Sequence, residues 1–218
     1  MVTAIEKLYI DYIYRNVDNP LAFFETEPGL IALRNTSMIT LFDHPHVKLW
    51  HKFLLEVFDS KILGKYALIL PCSRVKPYRI SRLHSQLECG LSNYNLDNWV
   101  QRYIISEPMV LVPRELDIYY PFANYDYPPK ELTERDKEMF VGLLSSVLPK
   151  LKNHKKIIAI LPKHHRNIFI AALKLCNNCI EVEIYDYGRK AFRTVKNVVE
   201  FFKNIIASDE GSTPGSIA

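Results

Sequence analysis

Glycine is scarce in this chain, with 7 among 218 residues. No G-x-G-x-x-G, G-x-x-x-x-G-K-[ST] or G-x-S-x-G run occurs. The glycine cradles that hold dinucleotides and nucleotide phosphates, and the serine elbow of many hydrolases, are therefore excluded. Cysteine is also sparse: Cys72, Cys89, Cys176 and Cys179 are too few for a disulfide framework at this length. Cys176-Asn-Asn-Cys179 is a single C-x-x-C with no second pair at zinc spacing, so it reads as packing at a turn. His44, His46, His164 and His165 have no metal-site company along the chain, and no metal or cofactor is expected. No apolar run approaches the roughly 18 residues of a membrane helix. The first residues are charged and amphipathic rather than leader-like, so a soluble, cytoplasmic chain with no membrane partner is expected. Charge of one sign is not in excess either. Lys and Arg number 28 against 24 Asp and Glu, a net +4, which permits a nucleic-acid partner without demanding one.

Apolar residues are plentiful, 48%, with 13 Tyr and 11 Phe. They provide for one domain with a sizeable core, or one domain plus a small appendage. Aromatics in loops can stack on bases or simply pack. Thr3-Ala-Ile-Glu6 predicts a capping box and a helix with Ile5, Leu8, Tyr9, Tyr12 and Ile13 on one face. A hairpin over Leu30–Leu33 and Met38–Phe42 is possible. Asp43 is placed to cap a helix running to Asp59. Tyr66–Leu70 reads as a buried strand, Ser81 as the cap of a helix to Cys89, and Asn95–Val100 as a helical turn. Arg102–Ile105 and Met109–Val112 read as strands, and 113–129 as a long loop rich in Tyr and Pro. Thr133-Glu-Arg-Asp136 predicts a second capping box. Beyond it come a strand Lys156–Leu161, a helix Arg166–Cys176, a strand Cys179–Tyr185 and a helix Ala191–Ala207. Strands alternating with helices imply parallel pairing. The expected fold is α/β, a three-layer α/β/α sandwich with a mainly parallel sheet over residues 61–207. A helical extension, 1–60, precedes it, and a disordered tail, 208–218, follows.

Chemistry concentrates just past the Tyr66–Leu70 strand, in Pro71-Cys72-Ser73-Arg74-Val75-Lys76-Pro77-Tyr78-Arg79-Ile80-Ser81-Arg82-Leu83-His84. In open α/β sheets, ligands bind outside the carboxyl ends of strands. Cations beside a thiol favour the reactive thiolate, so Cys72 is either a nucleophile or an inert core thiol. Arg74 and Lys76 suit phosphate or carboxylate. Tyr78 suits stacking on a base, and the alternative for both Lys76 and Tyr78 is a solvated loop. Ser81 is an N-cap or a contact to substrate, and His84 a proton carrier or a structural imidazole. Downstream, Arg114 and Glu115 form either an ion pair or contacts to phosphate and a base edge. Asp126, in a Tyr-rich loop, can orient an amine or a base. Lys163-His-His-Arg166 adds to a basic rim.

The spacing Pro71-Cys72-x-x-x-Lys76-Pro77-Tyr78-x-x-Ser81-x-x-His84 resembles the signature of the archaeosine synthase family. Ile105-Ser106-x-Pro108, Val112-Pro113-Arg114-Glu115-Leu116 and Tyr125-Asp126 follow in that family's order. The resemblance covers about residues 61–207 and implies a fold similar to uracil-DNA glycosylases. It also implies an activity: addition of an amine, lysine in the known reaction, to the nitrile of 7-cyano-7-deazaguanine held in tRNA. Cys72, His84 and Asp126 would do the chemistry, and Arg74, Lys76, Tyr78, Ser81, Arg114 and Glu115 would bind substrate. Family members also carry a transglycosylase-like portion and an RNA-binding PUA domain. The resemblance therefore implies either a tRNA-guanine-transglycosylase-like or PUA-containing partner chain that helps dock the tRNA, or a stand-alone relative whose activity has changed or been lost. The rival functions are a non-catalytic module that binds a base or nucleic acid, and a base-excision glycosylase.

Overall fold

The structure is a computed structural model and describes residues 2–35, 40–188 and 191–211. Helix α1, Ala4–Asn16, starts at the expected capping box, with the Thr3 hydroxyl accepting from the Glu6 amide and the Glu6 side chain accepting from the Thr3 amide. After α2, Leu21–Glu25, comes β1, Leu33–Arg34, which pairs in parallel with β5, Tyr125–Asp126. Of the second expected hairpin strand, Met38 lies outside the described residues, and Leu41–Asp43 turns into a single 3-10 turn. Helix α3, Pro45–Glu56, is capped by His44 rather than Asp43. The Asp43 carboxylate is held instead by Lys48 at 2.9 Å and Arg135 at 2.8 Å.

The remaining elements are β2, Tyr66–Pro71; α4, Arg82–Asn93; β3, Val100–Ser106; β4, Val110–Pro113; α5, Glu134–Val147; β6, Lys156–Leu161; α6, Lys163–Leu175; β7, Glu183–Asp186; and α7, Ala191–Gly211. Five strands form one sheet in the order β4-β3-β2-β6-β7. Only β4 runs antiparallel, because a tight hairpin joins it to β3. The rest pair in parallel, as alternation with helices predicts.

Alternation along the strands builds two apolar layers. Tyr66, Leu68 and Leu70 of β2 and Ile158 and Ile160 of β6 face α4 and α7. Ala67, Ile69, Ile157, Ala159 and Leu161 face a larger cluster with Phe140 of α5, Phe169 of α6, and Tyr9, Trp50 and Phe53 from α1 and α3. The chain leaves β2 through α4 on one face and leaves β6 through α6 on the other. At the carboxyl ends of β2 and β6 the connections therefore diverge, and a crevice opens there.

Several boundaries differ from the sequence reading. The expected helical turn is a single one, in which the Trp99 and Val100 amides donate to the Leu96 carbonyl at 3.0 and 3.1 Å, and it leads directly into β3. Helix α6 begins at Lys163, so Lys163–Arg166 is its first turn rather than a loop. Strand β7 starts four residues later than expected, at Glu183, after a turn in which Asn177 and Asn178 adopt positive φ. Cys176 and Cys179 are joined as a disulfide across that turn, where packing alone was expected. Helix α7 continues to Gly211, into the stretch expected as tail, and 212–218 lie outside the described residues.

Candidate active site

Three side chains meet in the crevice. Cys72 follows the last residue of β2. Glu107 sits in the β3–β4 turn, and His165 in the first turn of α6. Cys72 Sγ lies 3.8 Å from Glu107 Oε2 and 3.9 Å from His165 Nε2. His165 Nε2 lies 3.1 Å from the same Glu107 oxygen, and His164 Nε2 is 2.6 Å from the other. Glu107 and His165 are buried and Cys72 is half-buried.

Burial alone would push the Glu107 carboxyl up. Hydrogen bonds from His164 and His165 and the charge of His165 outweigh it, and the group falls to about 2. Burial alone would push His165 down. Its contacts to Cys72 and Glu107 and their negative charge reverse this, and it rises to about 10. At neutral pH the site therefore holds a carboxylate beside an imidazolium. The three ligand atoms also lie within 4.8 Å of one another, close enough to hold a metal ion, so His165 gains through the fold the company it lacked along the chain.

The Glu107 turn is anchored from the N-terminal helices. Trp50 Nε1 of α3 donates to the Met109 carbonyl at 2.7 Å, and His51 Nε2 contacts the Pro108 carbonyl at 2.8 Å. Burial holds His51 down to about 4, so it is neutral and donates through Nε2.

Cys72, Ser73 and Arg74 form a ridge between two clefts. The first, about 450 Å³, is lined by Lys76, Tyr125, Asp126, Tyr127 and residues 128–131. Lys76 Nζ sits 4.0 Å from the centre of the Tyr125 ring and 5.6 Å from that of Tyr78. Burial lowers its pKa, against the opposing charges of Cys72, Asp126 and Glu107. The second cleft, about 360 Å³, lies on the α4 side and takes in Ser81, Arg82, His84, Tyr187 and Phe192. A larger cleft, about 650 Å³, runs between α4 and α7; of the signature run only Ile80 and Arg82 line it.

Not all expected site residues converge. Tyr78 is fully buried, so it has no face to stack on a base. It hydrogen-bonds Tyr125 Oη at 2.6 Å and Ser106 Oγ at 3.2 Å, beneath the first cleft. Ser81 opens α4 with its backbone, but its hydroxyl caps no amide. His84 is buried and, because burial lowers its pKa, neutral. Its Nε2 contacts the Pro71 carbonyl at 2.9 Å, which braces the backbone before Cys72. Arg114 pairs with Glu88 at 3.0 Å, while Glu115 accepts from Gln101 at 2.8 Å. Neither lines either cleft, and they do not pair with each other. The expected single pocket thus divides, with Cys72, Arg74, Lys76 and Asp126 on one side and Cys72, Arg74, Ser81 and His84 on the other.

The signature loop is tied down by Arg79, which meets the fully buried Asp117 at 2.5 Å through Nη2 and 2.6 Å through Nε. Its backbone amide also donates to Asp117 at 2.9 Å. Truncating Asp117 to Ala strands the guanidinium and is expected to cost about 2–3 kcal/mol, or a Tm drop of roughly 5–10 °C. Thermal unfolding followed by circular dichroism checks this. An unchanged Tm would mean that Arg79 finds water or another acceptor without loss.

Sequence reasoning missed Glu107, His164 and His165 as site members. Each follows a strand end, as Cys72 does, and that shared position was the available signal.

Residues 47–197 match the family described as "Domain of unknown function (DUF5591)". Archaeosine synthase subunit alpha of Thermoplasma acidophilum is 34% identical over 97 residues, 44% of this chain and 19% of that protein. Its namesake in Methanosarcina acetivorans is 35% identical over 119 residues, 51% of this chain and 19% of that protein. Archaeosine synthase of Methanocaldococcus jannaschii is 25% identical over 219 residues, 98% of this chain and 35% of that protein. The chain spans about a fifth to a third of the length of these curated relatives. A crystal structure of a protein of unknown function superposes with a TM-score of 0.42 at 21% identity, covering 78% of this chain and 52% of that one.

Proposed function

We propose, for a chain that belongs to the DUF5591 family, that Cys72 is the nucleophile of an archaeosine-synthase-like reaction, the addition of an amine to the nitrile of 7-cyano-7-deazaguanine in tRNA. The observation that carries this reading is the half-buried Cys72 thiol at the rim of a base-sized cleft, with the His165–Glu107 ion pair against it. A cleft of about 450 Å³ falls within the range of small-molecule sites.

A nitrile carbon is electrophilic. The thiolate adds to it, and the nitrile nitrogen takes a proton from His165 Nε2, giving a thioimidate. The incoming amine attacks the same carbon, the C–S bond breaks, and the proton released by the amine returns to the imidazole. The product is an amidine, and the thiolate and the imidazolium are both restored. Carbon keeps its oxidation state, so the balance needs no electron acceptor. Glu107 holds the imidazolium in place, and Asp126 and Lys76 orient the base and the amine in the first cleft. Arg74, at the ridge, contacts phosphate.

The amine donor is lysine or a similar amine. The tRNA is docked with help from a transglycosylase-like or PUA-containing chain, which agrees with the "subunit alpha" names of two relatives. The sheet order and the site at the strand ends are compatible with a uracil-DNA-glycosylase-like core over residues 61–207, extended by residues 1–60.

The test is mass spectrometry of the chain incubated with 7-cyano-7-deazaguanine, free or in tRNA, with and without lysine. A nitrile adduct on Cys72 without lysine, and an amidine product with it, are expected. Binding of the base with neither adduct nor product would favour the non-catalytic module. The spacing of Cys72, Glu107 and His165 supports a second reading, a metal site. Nucleophilic Cys72 predicts that chelation leaves adduct formation unchanged, while equimolar Zn²⁺ suppresses it by capturing the thiolate. Loss of product on chelation, restored by metal, would make Cys72 a ligand instead.

A further inference from the structure

The second cleft, on the α4 side of Cys72, is not used by the chemistry above. Helix α4 has 12 residues and starts at this cleft without a side-chain cap. Its first-turn amides, on Arg82, Leu83 and His84, find no acceptor among the described residues. Such amides and the helix dipole together favour an anion. An independent feature marks the same place. The Ser81 hydroxyl is buried and unpartnered, Ser81 itself being only 8% exposed, and it belongs to a residue that lines the cleft. A buried hydroxyl left without a partner costs free energy that a bound acceptor would recover.

Charge agrees with this. Arg74 and Arg82 both line the cleft, and no carboxylate pairs with either among the described residues. Arg82 lies 5.3 Å from the centre of the Phe192 ring on the opposite wall, which holds its guanidinium over the opening. Helices α1, α3 and α5 have side-chain caps that use a first-turn amide internally, whereas α4, like α2 and α6, has none.

We propose that this cleft is an oxyanion site. It seats a carboxylate or phosphate of a substrate against the α4 amides, the Ser81 hydroxyl and Arg82, with the rest of that substrate reaching Cys72 over the shared ridge. The first cleft then holds the base and the second holds the charged group of the second reactant or of the nucleic-acid backbone. The proposal rests on Cys72 being the reacting centre, but the site itself can be tested without that chemistry.

The ¹⁵N-labelled full chain is titrated separately with sodium acetate and inorganic phosphate at constant ionic strength. Saturable shifts of the Arg82, Leu83 and His84 amides are expected with at least one anion. The Ser81→Ala and Arg82→Gln variants should each weaken that binding by about threefold to tenfold. A response to acetate identifies a carboxylate, and a response to phosphate alone identifies a phosphate. A second measurement reads the same site through the thiol. The ratio of iodoacetate to iodoacetamide alkylation at Cys72, by peptide mass spectrometry, should fall by a similar factor in both variants, while in Ser81→Ala the ratio at the exposed Cys89 stays unchanged. Amides that respond to neither anion, or shifts that the two substitutions leave intact, overturn the oxyanion site. Absence of any Cys72 alkylation with intact amide shifts would instead overturn the nucleophile reading and leave the anion site standing.

Discussion

Cys72→Ala is expected to abolish adduct formation and to lower amidine production by about 10³-fold or more, because a covalent route loses its nucleophile outright. Cys72→Ser should be nearly as impaired, since an alcohol oxygen is a far weaker nucleophile than sulfur. The comparison to make is with Cys89→Ser. Cys89 is exposed on α4, outside the Cys72 clefts, and its loss should leave the rate within about twofold, as expected for a surface change. Mass spectrometry of the intact protein with the nitrile base gives a direct readout: wild-type chain gains the full mass of the base, since addition expels nothing. An undiminished rate in Cys72→Ala would show that the amine attacks the nitrile directly and that the thiol is structural.

Glu107→Gln is the second large effect. It keeps the shape of the side chain and removes the charge that balances a buried imidazolium. Removing one partner of a buried pair typically costs about 3–5 kcal/mol, which for a chain of this size is a Tm fall of roughly 6–20 °C. The pH dependence identifies the cause. Glu107 is depressed to about 2, so its contribution is present above its ordinary value and fades as pH falls toward about 2. His165 is raised to about 10, so its contribution is full below about 6.5 and is lost as pH rises through about 10. Wild-type stability owed to this pair should therefore be greatest near pH 5–6 and decline on both sides. In Glu107→Gln the alkaline limb flattens because His165 loses its anion, and since burial then favours the neutral ring, stability instead falls as pH drops below about 6.5. Tm measured from about pH 2 to 10 in both proteins decides this, and parallel curves would mean that the pair adds nothing net to folding. Glu107→Gln should also slow adduct formation, since the imidazolium that protonates the nitrile nitrogen is no longer held.

The local features were legible because they rest on short-range physics. Both capping boxes join residues three apart in sequence, Thr3 with Glu6 and Thr133 with Asp136. Strands β2 and β6 are continuous apolar runs, as strands covered on both faces must be. The signature loop was placed correctly after β2, because a strand followed by a helix leaves its turn at the strand's carboxyl end. Asp43 misled because its carboxylate found Lys48 and Arg135 as partners before it could cap a helix. Ser81 misled in a subtler way, since its backbone opens α4 while its hydroxyl does not serve as the cap.

By itself the sequence determined the alternation of strands and helices, the mainly parallel sheet, and the loop in which Cys72 lies. Only the tertiary structure decided which side chains act with it. Glu107 and His165 are 35 and 93 residues from Cys72 and share no spacing pattern with it. They meet because β3 and β6 both flank β2 and end at the same edge of the sheet. The tertiary structure also moved Tyr78, Arg114 and Glu115 out of the clefts, since buried or charged side chains settle with the nearest partners that satisfy them, and those partners are set by the fold rather than by neighbours in the chain.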